Sequence, residues 1–167
     1  MNSADPIKKV RDLSKLKNYY REIQPNPRNE LLIILGLNTA LRISDILALK
    51  WQDVYDFERK EYRNHIHIVE QKTGKTAQIY MNHNVLEALH SYKSYLKQKK
   101  RYAGNNSFLF SHSNKNEPIS RVQAFRIIKK AVDYYNLSGV ISCHSLRKTF
   151  GYHAWKQGAS PVVLVNV

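Results

Sequence analysis

The sequence predicts a mainly α-helical domain with a small antiparallel β-sheet, an α+β fold. Two long segments repeat apolar residues at helical spacing, and a third is apolar on nearly every face. Only one region shows the alternation of apolar and polar residues that is typical of paired strands. Because 167 residues suffice for one core and are too few for two, we expect residues 1–167 to form a single domain.

The first predicted helices precede the strand region. Residues 13–23 are polar and helical, and residues 28–41 form a buried helix that follows Pro25 and Pro27. The second helix is expected in the core because it has no continuous polar face.

A β-hairpin is predicted between Val54 and Asn82. The segments IHIV and AQIYM alternate apolar and polar residues and flank KTGK, in which Gly74 suits a turn position with positive φ. Lys72, just before the turn, is therefore expected at the tip of the hairpin.

Three helices are predicted after the hairpin. The apolar positions of residues 83–101 are Val85, Leu89, Tyr92 and Leu96, and those of residues 120–136 are Val122, Phe125, Ile128, Val132 and Tyr135. The first of these helices ends in the basic run KQKKR, so its exposed face is cationic. A loop with Gly139 then leads to HSLRKTFGYHAW, which is helical again.

The charge of the chain indicates a nucleic-acid partner. Lys and Arg number 27 against 13 Asp and Glu, a net charge of +14, and each contact of a basic side chain with phosphate releases counterions. The single Cys143 excludes an internal disulfide, and no Cys pairs have zinc-site spacing. Without a signal peptide or an apolar span, we expect a cytoplasmic protein with no membrane partner.

Three features that are far apart in the sequence carry side chains able to bind a phosphate. Arg42 leaves an apolar segment and needs an anion, either a carboxylate such as that of Asp45 or a phosphate. His144 and Arg147 share one face at the start of a helix, where the helix dipole favours an anion. Taken singly, Arg42, the His144–Arg147 pair and Lys72 also fit structural or merely solvated roles.

Together these features resemble the catalytic domain of the tyrosine recombinases, the phage integrase family. ALRISDILALKWQDV is similar to the family's first arginine box, KTGK with the following strand to its β-hairpin lysine, and ISCHSLRKTFGYHAWKQGAS to its second box. SFLFSH resembles the short strand that precedes the later helices of these proteins. The resemblance spans most of the chain.

The resemblance implies site-specific DNA recombination, in which a tyrosine hydroxyl attacks the scissile phosphate and forms a 3′-phosphotyrosyl link. The catalytic residues it implies are Arg42, Lys72, His144 and Arg147. The two arginines would stabilise the charge on the nonbridging oxygens, and Lys72, with Lys75 as the local rival, would protonate the leaving 5′-oxygen. His144 would bind the phosphate or take the proton of the nucleophile. No metal or other cofactor is expected.

Other residues are expected to support this site. Asp45 is expected behind the arginines, where it orients one of them or braces the fold. The residues expected to contact double-stranded DNA are Lys75, Lys99, Lys100, Arg101 and Lys148. The resemblance implies a tetramer on DNA for the full-length protein, whereas this chain is expected to be mainly monomeric.

The sequence departs from the family pattern at both ends. The family continues with a Gly-His or Gly-Trp turn and then the nucleophilic tyrosine, which should lie beyond Val167. We therefore expect a chain that ends before its nucleophile, is inactive alone, and exposes apolar surface near Val162 to Val167. Tyr152, His153 and Trp155 match neither missing motif and are interpreted as packing or helix-surface residues. A separate N-terminal DNA-clamping domain is not expected.

Two alternatives remain at this point. One is a non-catalytic DNA-binding module or accessory protein that kept the phosphate-binding residues of such a domain. The other is a generic DNA or RNA binder with accidental motifs, in which the four residues need not meet in space.

Overall fold

The structure is a computed structural model that describes residues 3–101 and 104–160. Its elements in chain order are α1 (Val10–Asn18), α2 (Pro27–Asn38), α3 (Ile43–Leu47), α4 (Trp51–Val54), β1 (Tyr55–Asp56), β2 (Glu61–Tyr62), β3 (His65–Val69), β4 (Thr76–Tyr80), α5 (His83–Gln98), α6 (Arg121–Tyr134) and α7 (Cys143–Lys156). A π-helical segment, Tyr19–Ile23, continues α1. Helices dominate and the strands are few, so the predicted fold class is confirmed.

Helix α2 is the centre of the fold. Asn26 caps its start, because the side-chain Oδ1 accepts a hydrogen bond from the Asn29 amide at 3.1 Å, and Pro27 occupies the first turn. The helix is buried from Asn29 to Leu37 and packs against α5 and α7. It ends at Thr39, whose backbone is extended and whose hydroxyl donates to the Leu35 carbonyl. Arg42 follows this end directly.

Helix α5 begins where α2 ends. The Asn82 side chain caps α5 and also donates to Asn38 Oδ1 at 2.8 Å. The four apolar positions predicted for this helix are all buried. Because α5 runs back along α2 for 16 residues, about 24 Å at the α-helical rise, its basic C-terminal run lies near the N-terminus of α2.

Helix α6 forms where predicted but presents a different face. Val122 is 57% exposed and Phe125 38% exposed, whereas the buried residues are Ala124, Ile127, Ile128, Ala131 and Val132. At about 100° per residue, Val122 falls on the side opposite Ala131. The prediction for these two positions was wrong because the helix has apolar side chains on most of its faces, so periodicity alone did not identify the buried face. The small side chains of the two alanines allow closer packing on the core.

The strands form two separate antiparallel ribbons. Strands β3 and β4 pair from His65 with Tyr80 to Val69 with Thr76, which confirms the predicted hairpin. Gly74 has the expected positive φ, at 68°. The second ribbon, β1 with β2, was not predicted because strands of two residues are too short to show an alternating pattern.

The N-terminal segment, defined as residues 3–7, lies against α7. The Asp5 amide donates to the Val140 carbonyl at 2.8 Å, and the Ile7 amide donates to Thr149 Oγ1 at 2.9 Å. Ile7 is buried in the core. The first and the last described parts of the chain therefore close the same side of the molecule.

Three further expectations concern the second half of the chain. SFLFSH forms isolated β-bridges, Lys50 with Phe108 and Ser111 with Pro118, instead of the expected strand, because its hydrogen bonds go to loops and not to one partner strand. Trp155 packs on Tyr152 but stays half exposed. The apolar surface expected near Val162 to Val167 lies outside the described residues. Within the described ranges, no helix is long and apolar enough to cross a membrane.

Candidate phosphate-binding site

Three elements meet beyond the C-terminal end of α2. Arg42 is the N-cap residue of α3, the hairpin tip (residues 70–75) reaches over it from β3 and β4, and the first turns of α7 carry His144 and Arg147. Helix α7 is held in place because Gly36 of α2 allows close approach of Leu146. The packing of α2 with α7 thus brings the first arginine box and the second box close together.

Arg42 pairs with Glu70 at the base of the hairpin tip. Arg42 Nη1 donates to Glu70 Oε2 at 2.8 Å, and the Thr73 hydroxyl donates to the same oxygen at 2.9 Å. These two hydrogen bonds, from Thr73 and from Arg42, lower the pKa of Glu70 below its ordinary value. Asp45 is one of the anions that the sequence suggests for Arg42, but the carboxylate that reaches the guanidinium comes from the hairpin.

Asp45 instead holds the hairpin tip. It is 4% exposed, and its Oδ1 accepts a hydrogen bond from the Gln71 amide at 3.0 Å. Its Oδ2 is buried and has no hydrogen-bond partner among the described residues. Of the two roles expected for Asp45, its hydrogen bond corresponds to bracing the fold.

Arg147 lies in the second turn of α7, close to the Glu70 carboxylate. Burial and the positive charge of Arg42 lower the pKa of Arg147, whereas the negative charges of Glu70 and Asp45 act in the opposite direction. Its Nε is buried and has no hydrogen-bond partner in the described part of the chain. The guanidinium groups of Arg42 and Arg147 are therefore both within electrostatic reach of Glu70.

His144 lies in the first turn of α7 among basic side chains. Burial lowers the pKa of His144, and the positive charges of Lys148, Arg147, Arg42 and Lys72 lower it further. The imidazole is therefore neutral at pH 7 and able to accept a proton. These interactions also show that Lys72, at the exposed hairpin tip, is within electrostatic reach of His144.

The residues expected to contact DNA fall into separate regions. Lys75 belongs to the hairpin tip, beside the site, whereas Lys99, Lys100 and Arg101 follow the far end of α5. Arg101 lines a cavity of about 530 Å³ together with Arg28, at the N-terminal end of α2. The 12 residues of α2 span about 18 Å, so this cavity is remote from Arg42.

Lys148 is engaged within the protein. Its Nζ donates to Ser3 Oγ and to the Ala4 carbonyl, each at 2.8 Å. The ammonium group therefore holds the N-terminal segment against α7.

Sequence reasoning missed Glu70, Gln71 and Thr73. Glu70 lies 28 residues from Arg42, and an acidic residue after a strand gives no sign of its partner. The hairpin prediction was the available signal, since it placed residues 70–75 together at a tip.

Potential metal ligands and the cysteine do not form a further site. Within residues 3–101 and 104–160, no three His, Cys, Asp or Glu side chains group as a metal ion would require. Burial raises the pKa of the Cys143 thiol to about 11, so the thiol stays protonated at neutral pH.

Comparison with known proteins connects this arrangement to one family. Residues 9–166 match the phage integrase family. The chain is also similar to the probable integrase/recombinase YoeC of Bacillus subtilis (strain 168), at 34% identity over 157 residues. The match covers 94% of this chain and 78% of YoeC.

Solved structures share the fold. XerA recombinase superposes with a TM-score of 0.74 at 18% identity, over 97% of this chain and 55% of XerA. Lambda integrase (residues 75–356) bound to DNA gives a TM-score of 0.68 at 18% identity, over 95% of this chain and 54% of that protein. The chain thus spans little more than half the length of these structures. The family match over nearly the whole chain and the identity with YoeC show that the chain belongs to the phage integrase family.

Proposed function

We propose that this chain carries the phosphate-binding and proton-transfer centre of a tyrosine-type site-specific DNA recombinase. The observation that carries the proposal is the meeting of two guanidinium groups, a neutral imidazole and a lysine at the end of α2. Double-stranded DNA is the partner, and the protein acts in the cytoplasm.

The arginines hold the scissile phosphate. Arg42 and Arg147 approach from different elements, so their N–H groups can reach different nonbridging oxygens. Arg147 contributes a buried Nε that has no hydrogen-bond partner among the described residues. A phosphoryl group under attack carries extra negative charge on these oxygens, so two fixed guanidinium groups bind the transition state more tightly than the ground state.

The reaction moves two protons. The tyrosine oxygen forms a bond to phosphorus and its proton passes to the neutral imidazole of His144. The bond between phosphorus and the 5′-oxygen breaks, and that oxygen takes a proton from the Lys72 ammonium. Rejoining reverses these steps with the 5′-hydroxyl of a partner strand, so one phosphodiester is restored for each one broken.

The proposed reaction also requires a nucleophilic tyrosine. None of the 11 tyrosines lies in the motif that carries the family's nucleophile, and Tyr152 is packed on His153 and Trp155 of its own helix. We infer that this chain does not cleave DNA by itself.

Assembly on DNA is inferred from relatives. Lambda integrase has been solved as a dimer bound to a core site and as a tetramer bound to a Holliday junction. We propose that the complete recombinase likewise acts as a tetramer on DNA, whereas the isolated chain is monomeric.

The test joins to this chain a C-terminal segment that carries the family's tyrosine motif. Substituting Arg147→Ala should abolish the covalent protein–DNA adduct, a loss of at least about 100-fold for a group that stabilises transition-state charge. Duplex binding should weaken only about fivefold, since one phosphate contact among several is lost. A denaturing gel measures the adduct and fluorescence anisotropy measures the affinity.

Arg126→Ala is the matched control, because Arg126 is exposed on α6 and its charge is not among those that shift the pKa of Glu70, His144 or Arg147. It should leave the adduct unchanged. Equal losses of cleavage and binding in Arg147→Ala would contradict the assigned role. A joined protein that binds the duplex without forming the adduct would favour the non-catalytic DNA-binding module, the second candidate function.

A further inference from the structure

Glu70 brings a negative charge into a group of positive ones. Its Oε2 accepts hydrogen bonds from Arg42 Nη1 and from the Thr73 hydroxyl, and its charge acts on Arg147. Asp45 is the other acid near the arginines, but its Oδ1 is already used by the Gln71 amide. The carboxylate of Glu70 is therefore the anion that Arg42 binds in this structure.

We propose that Glu70 is an internal substitute for the DNA phosphate, which a phosphate must displace from Arg42, and that this displacement releases the hairpin tip that carries Lys72. The proposal rests on the proposed function, because it assumes that Arg42 and Arg147 bind the scissile phosphate.

Competition follows from charge and from shared donors. A phosphodiester and a carboxylate both bind a guanidinium through its N–H groups, and Arg42 already gives Nη1 to Glu70 at 2.8 Å. Two anions at one guanidinium repel each other. Protonation of Glu70 does not remove this repulsion near neutral pH, because the hydrogen bonds of Glu70 lower its pKa. The carboxylate must therefore move when a phosphate arrives.

The turn of the hairpin connects Glu70 to Lys72. The Gly74 amide donates to the Glu70 carbonyl at 2.8 Å, and the Thr73 hydroxyl donates to the Glu70 side chain. Lys72 lies between these residues and is exposed. When Glu70 leaves Arg42, its side chain no longer joins the turn to α3. Gln71 still does, because its amide donates to Asp45 Oδ1 at 3.0 Å and its side-chain Nε2 donates to the Ser44 carbonyl at 3.3 Å. The lysine can then move to the 5′-oxygen of the bound phosphate.

The first measurement is the affinity of this chain for inorganic phosphate, followed by NMR titration of the Arg42 and Arg147 side-chain signals. Glu70→Gln should bind phosphate about two- to fivefold more tightly, the range expected for a partly exposed ion pair. Glu61→Gln is the matched control, because Glu61 carries the same charge in an exposed pair with Arg59. It should leave the affinity unchanged.

The second measurement uses the unsubstituted chain, so it does not depend on how a variant folds. Adding phosphate should speed amide hydrogen exchange at Gly74, whose amide donates to the Glu70 carbonyl, and Glu70→Gln should show fast exchange there without phosphate. Unchanged exchange, or equal or weaker phosphate binding by Glu70→Gln, would overturn the proposal and show that Glu70 only positions Arg42.

Arginine variants separate this proposal from the proposed function. Arg42→Ala and Arg147→Ala should each weaken phosphate binding. If they do so while Glu70→Gln has no effect, the substitution mechanism is wrong and the phosphate site stands. If neither arginine variant changes phosphate binding, the proposed phosphate site itself fails.

Discussion

The pKa of His144 shows how the surroundings of a single side chain set its tendency to bind a proton. Partial burial lowers the pKa of His144 below its ordinary value of 6.5, and the charges of four basic residues lower it further. A histidine in this state accepts a proton once an anion has reduced the surrounding positive potential. The same environment that disfavours the imidazolium in the free protein would favour it beside a bound phosphate.

The first prediction concerns this titration. In the free chain, the NMR midpoint of His144 should lie below 6.5, and inorganic phosphate should raise it. Since the unfolded chain binds more protons in that window, folding stability should increase as pH rises through it and be lost as pH falls. His144→Gln should remove that part of the pH dependence. A midpoint at or above 6.5 in the free chain would contradict the electrostatic description of the site.

At the scale of elements, the close packing of α2 with α7 sets the distance between the two arginine boxes. A Cβ atom at Gly36 would lie 2.5 Å from Leu146 Cδ1 and 3.0 Å from Leu146 Cβ. Rotation of the Leu146 side chain relieves the first contact but not the second. Any larger residue at this position therefore has to move one helix away from the other.

Gly36→Ala tests this packing. Overpacking a core costs about 1–3 kcal/mol, and alanine recovers about 1 kcal/mol through its helix propensity, so we expect a net loss of stability of up to about 2 kcal/mol. Chemical denaturation measures it. Gly151→Ala is the control, because a Cβ there meets nothing within 4 Å and should raise stability. Similar effects for both substitutions would show that the helices are not in close contact at Gly36.

At the scale of the whole molecule, contacts of long sequence separation close the domain. The N-terminal segment reaches α7 through hydrogen bonds between residues more than 130 positions apart, among them Ile7 with Thr149 and Asp5 with Val140. Ile7 adds a buried side chain to the same core that contains Leu146. The helix that carries His144 and Arg147 is therefore held by the first residues of the described chain.

Ile7→Ala should lower the free energy of unfolding by about 2–4 kcal/mol, since it leaves a cavity in the core. It should also speed amide exchange along α7. Val10→Ala is the control, because Val10 is 70% exposed and its loss should change stability by less than about 0.5 kcal/mol. Equal effects of the two substitutions would mean that the N-terminal segment does not stabilise the fold.

The sequence by itself determined the longer elements and the family. Short-range patterns of three to seven residues were enough to predict the buried α2, the buried face of α5 and the hairpin with its turn at Gly74, because backbone periodicity depends on neighbours. The resemblance in its arginine boxes also identified the family before any contact was known. Both results rest on information that lies within single segments of the chain.

Only the tertiary structure decided which side chains meet. The partner of Arg42 is Glu70 and not the nearby Asp45, the face that α6 buries contains alanines and not Val122, and Lys148 is fastened to Ser3 and Ala4. Each of these outcomes depends on how helices and the hairpin dock, over separations of up to 145 residues. Local periodicity does not predict such contacts, because the docking of helices and hairpin depends on the shape and volume of the whole core.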